Sequence, residues 1–249
     1  MHFPVTLPIG KSGIPAHFIC ETLAYFAGYK YYVYLRSHTT DKISTEHRLI
    51  IFIGAGLGAL IGSHLVGILE KPADLVHFSL LYVMGNKTIV GGMLGGLIGV
   101  ELTKKRLGVT ASSGDLMVYP LILAMIIGRM GCFLAGLDDG TYGIPSNLPW
   151  AINFGDGVRR HPSNLYEILF WILLWFGLKL LERKYNLLDG ARFKIFLASY
   201  LVFRFAVEFI KPDYFFPFGL SVIQLVCIAG ILYYYKVFAH PSKLIKAHA

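Results

Sequence analysis

Apolar residues run along this chain in long blocks separated by short clusters of charge. About 20 mostly apolar residues in helical form span the hydrocarbon of a bilayer, and blocks of that size cover 16–35, 48–69, 114–135, 164–181, 191–210 and 218–237. The tract 74–102 is less regular. Residues 75–84 are apolar but short, Gly85-Asn86-Lys87-Thr88 interrupts them, and 89–102 is short and rich in glycine. That tract predicts one crossing preceded by a re-entrant or interfacial piece. The pattern as a whole predicts an all-α membrane protein with about seven transmembrane helices.

Composition agrees with the pattern. Of 249 residues, 55% are hydrophobic and 15% charged, where a soluble domain carries about a quarter charged. We expect a single polytopic membrane domain over 1–249. Residues 1–11 have neither a basic region nor an apolar core, so no cleavable signal peptide is expected and the first span serves as insertion signal. The net charge of +8 does not point to nucleic acid, because the cations are dispersed and accompany no recognition motif. Cys20, Cys132 and Cys227 lie in or beside apolar blocks without C-x-x-C or Cys/His spacing. Neither a disulfide nor a metal is expected, and no cofactor.

The cations follow topology instead. With the N-terminus outside, the inner segments hold Arg36, Lys42, Arg48, Lys104, Lys105, Arg106, Lys179, Arg183, Lys184, Arg192, Lys194, Lys236, Lys243 and Lys246. The outer ones hold only Lys11, Lys71, Lys87, Arg159, Arg160 and Lys211. By the positive-inside rule the C-terminus is cytoplasmic. The longest non-helical stretch, 136–163, then lies outside, with Trp150 as an interface anchor. A loop of this length in a compact membrane protein is usually functional, so the substrate is expected on that face.

Three cations remain inside the spans. Lys30 lies near a helix end and can snorkel, but Arg129 and Arg204 cannot shed their charge and must face protein, a wet cavity or an anionic headgroup. Glu208 follows Arg204 by four residues, on the same helical face. It is read either as a structural partner or as the group that holds Arg204 toward a polar cavity. Two converging guanidiniums suit a phosphate diester, since the planar fork matches phosphate oxygens. Arg160-His161-Pro162-Ser163-Asn164-Leu165-Tyr166-Glu167 reads as a loop entering a helix, dense enough in polar groups to form a shared network. The run 91–99 is read as glycine packing between helices. His17 with Glu21, His64 and His77 are read as structural, and Cys132 as packing rather than nucleophile.

Three segments carry a resemblance: Gly128-Arg129-Met130-Gly131-Cys132-Phe133-Leu134-Ala135-Gly136, the Arg160 to Glu167 run, and Arg204-Phe205-Ala206-Val207-Glu208-Phe209. In this order, with Gly95-Gly96-Leu97-Ile98-Gly99, Gly140 and Gln224, they resemble the prolipoprotein diacylglyceryl transferase family over roughly residues 85–235. The resemblance implies an enzyme of the bacterial inner membrane. It would move the diacylglyceryl group of phosphatidylglycerol to the lipobox cysteine of exported preprolipoproteins, recognised through their signal peptides. It implies Arg129, Arg204, Glu208 and His161 as catalytic, and Gly131, Gly140, Tyr166, Glu167 and Gln224 as substrate-binding. Three departures stand out. Leu94 replaces the histidine proposed as the family's thiol-activating base, Cys132 replaces an asparagine, and Lys211 replaces an arginine. Two alternatives accompany this reading: a related phospholipid-dependent transferase with a different acceptor, and a non-catalytic lipid-binding protein.

Overall fold

The computed structural model describes residues 3–9, 12–70, 80–212 and 214–247. The long helices are α1 (Ala16–Ser37), α2 (Thr45–Glu70), α4 (Ile89–Leu107), α5 (Val118–Ala135), α6 (Ser163–Lys184), α7 (Ala191–Glu208) and α8 (Val222–Tyr233). Two short helices, α3 (Leu80–Gly85) and α9 (Tyr235–Ala239), accompany them. Three stretches, Thr45–Glu70, Asp115–Asp139 and Ser163–Lys184, are long and apolar enough to cross a membrane, and Val222–Tyr233 is a shorter apolar helix. Of the tract expected to re-enter, α3 is described; residues 71–79, with Lys71 and His77, lie outside the described residues, as does Lys11.

The differences from the sequence expectation have local causes. Helix α4 runs five residues past 102, because Lys104, Lys105 and Arg106 suit the negative end of its dipole. Gly108, at φ +67°, then ends the helix with its N–H on the Lys104 carbonyl. Helix α8 starts four residues later than the apolar block: Gly219 holds a positive φ, and Ser221 and Gln224 form a reciprocal capping box. Three antiparallel strand pairs depart from the all-helical expectation, namely β1 (Thr6–Ile9) with β2 (Ser12–Pro15), β3 (Ile152–Asn153) with β4 (Arg159–Arg160), and β5 (Tyr185–Leu187) with β6 (Ile245–Ala247).

Two helix pairings depend on side chains that are absent. A Cβ added at Gly58 would stand 2.3 Å from the Gly95 carbonyl oxygen, and one at Gly62 would stand 2.4 Å from that of Gly91. Helices α2 and α4 thus touch backbone to backbone along Gly54, Gly58, Gly62 and Gly91, Gly95, Gly99, as the glycine run predicts. Between α1 and α5, a Cβ at Gly131 would meet Cys20 Cβ at 2.8 Å. The core proper lies under α5–α8, around Trp171, Tyr200, Phe196 and Ile223.

The loops gather at two opposite ends. At one end Arg48, 2% exposed, is clasped by Asp41 and donates to the Ser113 carbonyl at 2.8 Å, and Lys42 pairs with Asp189 at 2.8 Å. Arg48 is therefore a buried clasp, where the sequence read it as one of the topology-setting cations. At the other end the Val5 N–H donates to Leu134 O (2.9 Å) and the Ile144 N–H to Ile210 O (2.8 Å). The second end also holds the loop 136–162.

Candidate functional site

Arg129 and Arg204 come from adjacent helices near that second end, and both are almost closed to solvent, at 7% and 5% exposure. Each has a carboxylate. Arg204 Nη1 lies 2.5 Å from Glu208 Oε2 one turn on along α7, as the i, i+4 spacing predicts. Arg129 Nε lies 2.9 Å from Glu167 Oε2 on α6. Burying two cations requires this neutralisation, since an isolated guanidinium at these positions would cost several kcal/mol. Tyr200, one turn before Arg204 on α7, reaches Glu167 and so links the two ion pairs.

Neutral partners order the cluster. The Tyr200 hydroxyl donates to Glu167 Oε1 at 3.4 Å. The Ser221 hydroxyl donates to Glu208 Oε1 at 3.0 Å, while Ser221 N–H donates to Gln224 Oε1 at 2.9 Å. Gln224 also donates from Nε2 to the Phe205 carbonyl at 3.2 Å. It therefore fixes α8 on α7 and holds Ser221 in reach of Glu208. Glu167 engages Nε of Arg129 and Glu208 engages a terminal nitrogen of Arg204. Arg129 also points Nη1 at Cys132 Sγ, 3.8 Å away; among the described residues the remaining N–H groups of the two forks meet no further carboxylate and can receive an anion.

The Arg160 to Glu167 run contributes to three networks rather than one. Glu167 joins the arginines. Ser163 Oγ donates to Thr141 O at 2.5 Å, and the Thr141 hydroxyl lies 2.9 Å from Asn164 Oδ1 and contacts Asp139 Oδ2. His161 Nδ1 is 3.1 Å from the Tyr166 hydroxyl, which accepts from Trp150 Nε1 at 2.7 Å. With the indole hydrogen on its oxygen, Tyr166 can give its own to His161. His161 and Tyr166 thus join the loop 136–162 to the first turn of α6 through Trp150, in a network that shares no hydrogen bond with the Arg129–Glu167 pair. Arg160 is held there too, by Asp156 at 2.6 Å and over the Tyr142 ring; the guanidinium keeps the exposed Asp156 carboxyl down at about 2.

The glycines divide by role. Gly131 lets α1 approach α5 and so brings His17 near Cys132. Gly140, exposed at φ +67°, closes the turn after α5 with no atom within 4 Å of a would-be Cβ, which leaves room beside the loop. Leu94 packs into the core: its Cδ2 and Cδ1 would lie 3.2 and 3.3 Å from a Cβ at Gly230, against Leu201.

Sequence reasoning missed Tyr200, Ser221, Thr141 and one further group. Cys132 Sγ is 3.8 Å from Arg129 Nη1 and 4.0 Å from His17 Nε2, and that nitrogen is 3.5 Å from Asp139 Oδ1. Tyr200 could have been found by extending the Arg204 face one turn back; the others meet only through tertiary packing.

The sequence model of prolipoprotein diacylglyceryl transferase matches residues 4–239. A Bordetella bronchiseptica protein named phosphatidylglycerol–prolipoprotein diacylglyceryl transferase is 34% identical over 215 residues, covering 78% of either chain. A Vibrio campbellii protein of the same name is 31% identical over 231 residues, covering 86% of this chain and 81% of its own. A family match over nearly the whole length, with relatives 31–34% identical over most of the chain, places this chain in the prolipoprotein diacylglyceryl transferase family.

Proposed function

We propose that this protein transfers the diacylglyceryl group of phosphatidylglycerol to the lipobox cysteine of exported preprolipoproteins at the bacterial inner membrane. The observation that carries the reading is the pair of buried arginines, each neutralised by one carboxylate and each with N–H groups to spare. In this reading 1–249 is one membrane domain crossing seven times, with loop 136–163 outside and the C-terminus in the cytoplasm. The phosphatidylglycerol phosphate sits between the forks of Arg129 and Arg204, where bidentate donors stabilise charge growing on the departing oxygen. Glu167 and Glu208 fix the forks, Ser221 and Gln224 hold Glu208, Gly131 seats α1 against α5 so that the site closes on that side, and Gly140 leaves room for the substrate beside the loop. His161 and Tyr166, at the junction of the loop and α6, meet the signal peptide rather than the phosphate.

The transfer itself is a displacement. The acceptor thiolate attacks a glyceryl carbon, the carbon–oxygen bond to phosphate breaks, and glycerol phosphate leaves with the electron pair. A strain depleted of its own transferase and supplied with this chain tests the reading, with the mass of its lipoproteins as readout. We expect the diacylglyceryl increment. Viable expression with no mass increment would refute the acceptor assignment. The Leu94 packing favours one second reading, a phospholipid-dependent transferase with another acceptor, which would consume phosphatidylglycerol in the same cells without modifying lipoproteins.

A further inference from the structure

The side chains of His17, Cys132 and Asp139 come from α1, α5 and the turn after α5, with His17 and Cys132 separated by 115 positions. Their nitrogen, sulfur and carboxylate oxygen all lie within 4.8 Å of one another. We propose that they form a site for a thiophilic divalent cation, Zn²⁺ above all, whose remaining coordination position takes the acceptor thiol. This rests on the transferase reading.

Geometry, chemistry and access support it. Zinc bonds of about 2.0–2.1 Å to nitrogen or oxygen and 2.3 Å to sulfur give tetrahedral edges of roughly 3.3–3.6 Å. The nitrogen–oxygen edge here is 3.5 Å, the sulfur–nitrogen edge 4.0 Å and the sulfur–oxygen edge within 4.8 Å, so the nitrogen and oxygen already stand at ligand spacing and the Cys132 sulfur closes the set by moving toward them. An imidazole, a thiolate and a carboxylate are a zinc ligand set, and their two negative charges balance the dication. The Thr141 hydroxyl on Asp139 Oδ2 orients the carboxylate from behind, as metal ligands require. Arg129, beside Cys132, is itself balanced by Glu167, so the metal faces no uncompensated cation. A pocket of about 280 Å³ opens on the same spot, bordered by His17, Asp139, Pro4 and Pro15, and His17 is 37% exposed.

The site also answers a chemical need. Thiol transfer requires a thiolate, and a free cysteine with a pKa near ~8.5 supplies only a few per cent at neutral pH. Leu94 packs against Gly230 and Leu201 and offers no base. A thiol that coordinates a divalent metal loses its proton outright, here to water at the mouth. The bound sulfur then attacks the glyceryl carbon, the sulfur–carbon bond forms as the carbon–oxygen bond breaks, and the electron pair leaves on glycerol phosphate beside Arg129. No redox partner is required.

The test uses the purified full-length protein in detergent, stripped by chelator and titrated with Co²⁺ as a coloured substitute for Zn²⁺. We expect one equivalent to bind with a sulfur-to-cobalt charge-transfer band. Cys132→Ser should remove the band, while His17→Ala and Asp139→Asn weaken binding at least about tenfold; Cys227→Ser, away from the cluster, should change nothing. Thermal unfolding of each variant shows that it is folded. A lipobox peptide should shift the cobalt spectrum, and its Cys→Ser version should not. Absence of stoichiometric Co²⁺, binding indifferent to all three variants, or a spectrum indifferent to the thiol peptide overturns the proposal. If chelated protein turns over like the untreated enzyme, the metal site fails and the transferase reading stands. If cobalt binds and answers the thiol peptide but no lipid is transferred, the transferase reading fails instead.

Discussion

Replacing Glu167 with leucine leaves the Arg129 guanidinium in place with no carboxylate on its Nε. The two charges lie 2.9 Å apart at 8% and 5% side-chain exposure. With an effective dielectric of ~20 their attraction is about 6 kcal/mol, much of it cancelled by the desolvation both ions have undergone. The loss on removing one partner is nonetheless large, about 3–5 kcal/mol, because the survivor stays desolvated and unpaired. For a chain of this size that corresponds to a fall in Tm of roughly 6–20 °C. Arg129→Met alone should cost a similar amount by stranding Glu167. The double variant Arg129→Met/Glu167→Leu removes both charges and should melt close to the parent, with a coupling energy above about 2 kcal/mol and no turnover. Thermal unfolding in detergent, followed by tryptophan fluorescence, measures all four corners of the cycle. Single variants costing under about 1 kcal/mol, or a double variant equal to the sum of the singles, would refute the view that pairing is what permits this arginine to be buried.

Arg129→Lys and Arg204→Lys keep the charge but lose the fork, so each should lower turnover on the order of 100-fold in a purified phosphatidylglycerol assay; parental rates would dismiss the phosphate clamp. Gly95→Val should destabilise by more than the usual 1–3 kcal/mol of overpacking, since its Cβ would stand 2.3 Å from Gly58 O. Gly56→Ala, with nothing within 4 Å, should be neutral or stabilising by up to about 1 kcal/mol, and equal melting of the two variants would contradict the backbone contact. Leu94→His should lower Tm without raising neutral-pH turnover, because the ring enters a filled apolar contact; faster turnover at pH 7 would reveal room for a base there. In a cysteine-free background, Asn147→Cys should react with an impermeant thiol reagent applied outside and Lys104→Cys should not; the reverse pattern would invert the orientation.

Periodicity reports what a helix does with its own residues, and there the sequence was a good guide. The span starts at 16 and 191, the Arg204–Glu208 pair and the glycine face of α4 all follow from spacing within a segment, and the span expected from 164 begins one residue earlier. Helix ends were less legible. The extension of α4 to Leu107 and the late start of α8 depend on caps that hydropathy ignores. Contacts between segments left no trace in the pattern. Glu167 looked like one member of a loop network until α6 placed it on Arg129, and Arg48 looked like a surface cation until Asp41 and Ser113 closed on it. The His17, Cys132 and Asp139 cluster shows the same limit most sharply. Spacing rules for metal ligands recognise local motifs, and these three residues meet only because Gly131 lets α1 lie against α5.

The two arginines differ in where their counter-charge comes from, and that difference falls in time as well as space. Arg204 is followed by its own carboxylate four residues later on the same helix, so in the seven-span arrangement proposed above α7 would enter the lipid already neutral at that point. Arg129 waits for Glu167, which emerges from the ribosome roughly 40 residues later, or about 2–8 s at ordinary rates of synthesis. During that interval α5 carries a naked guanidinium, and the membrane insertion machinery must shelter it until α6 arrives. Mutations that slow or misplace α6 would therefore harm biogenesis of the protein before they harm any property of the finished one.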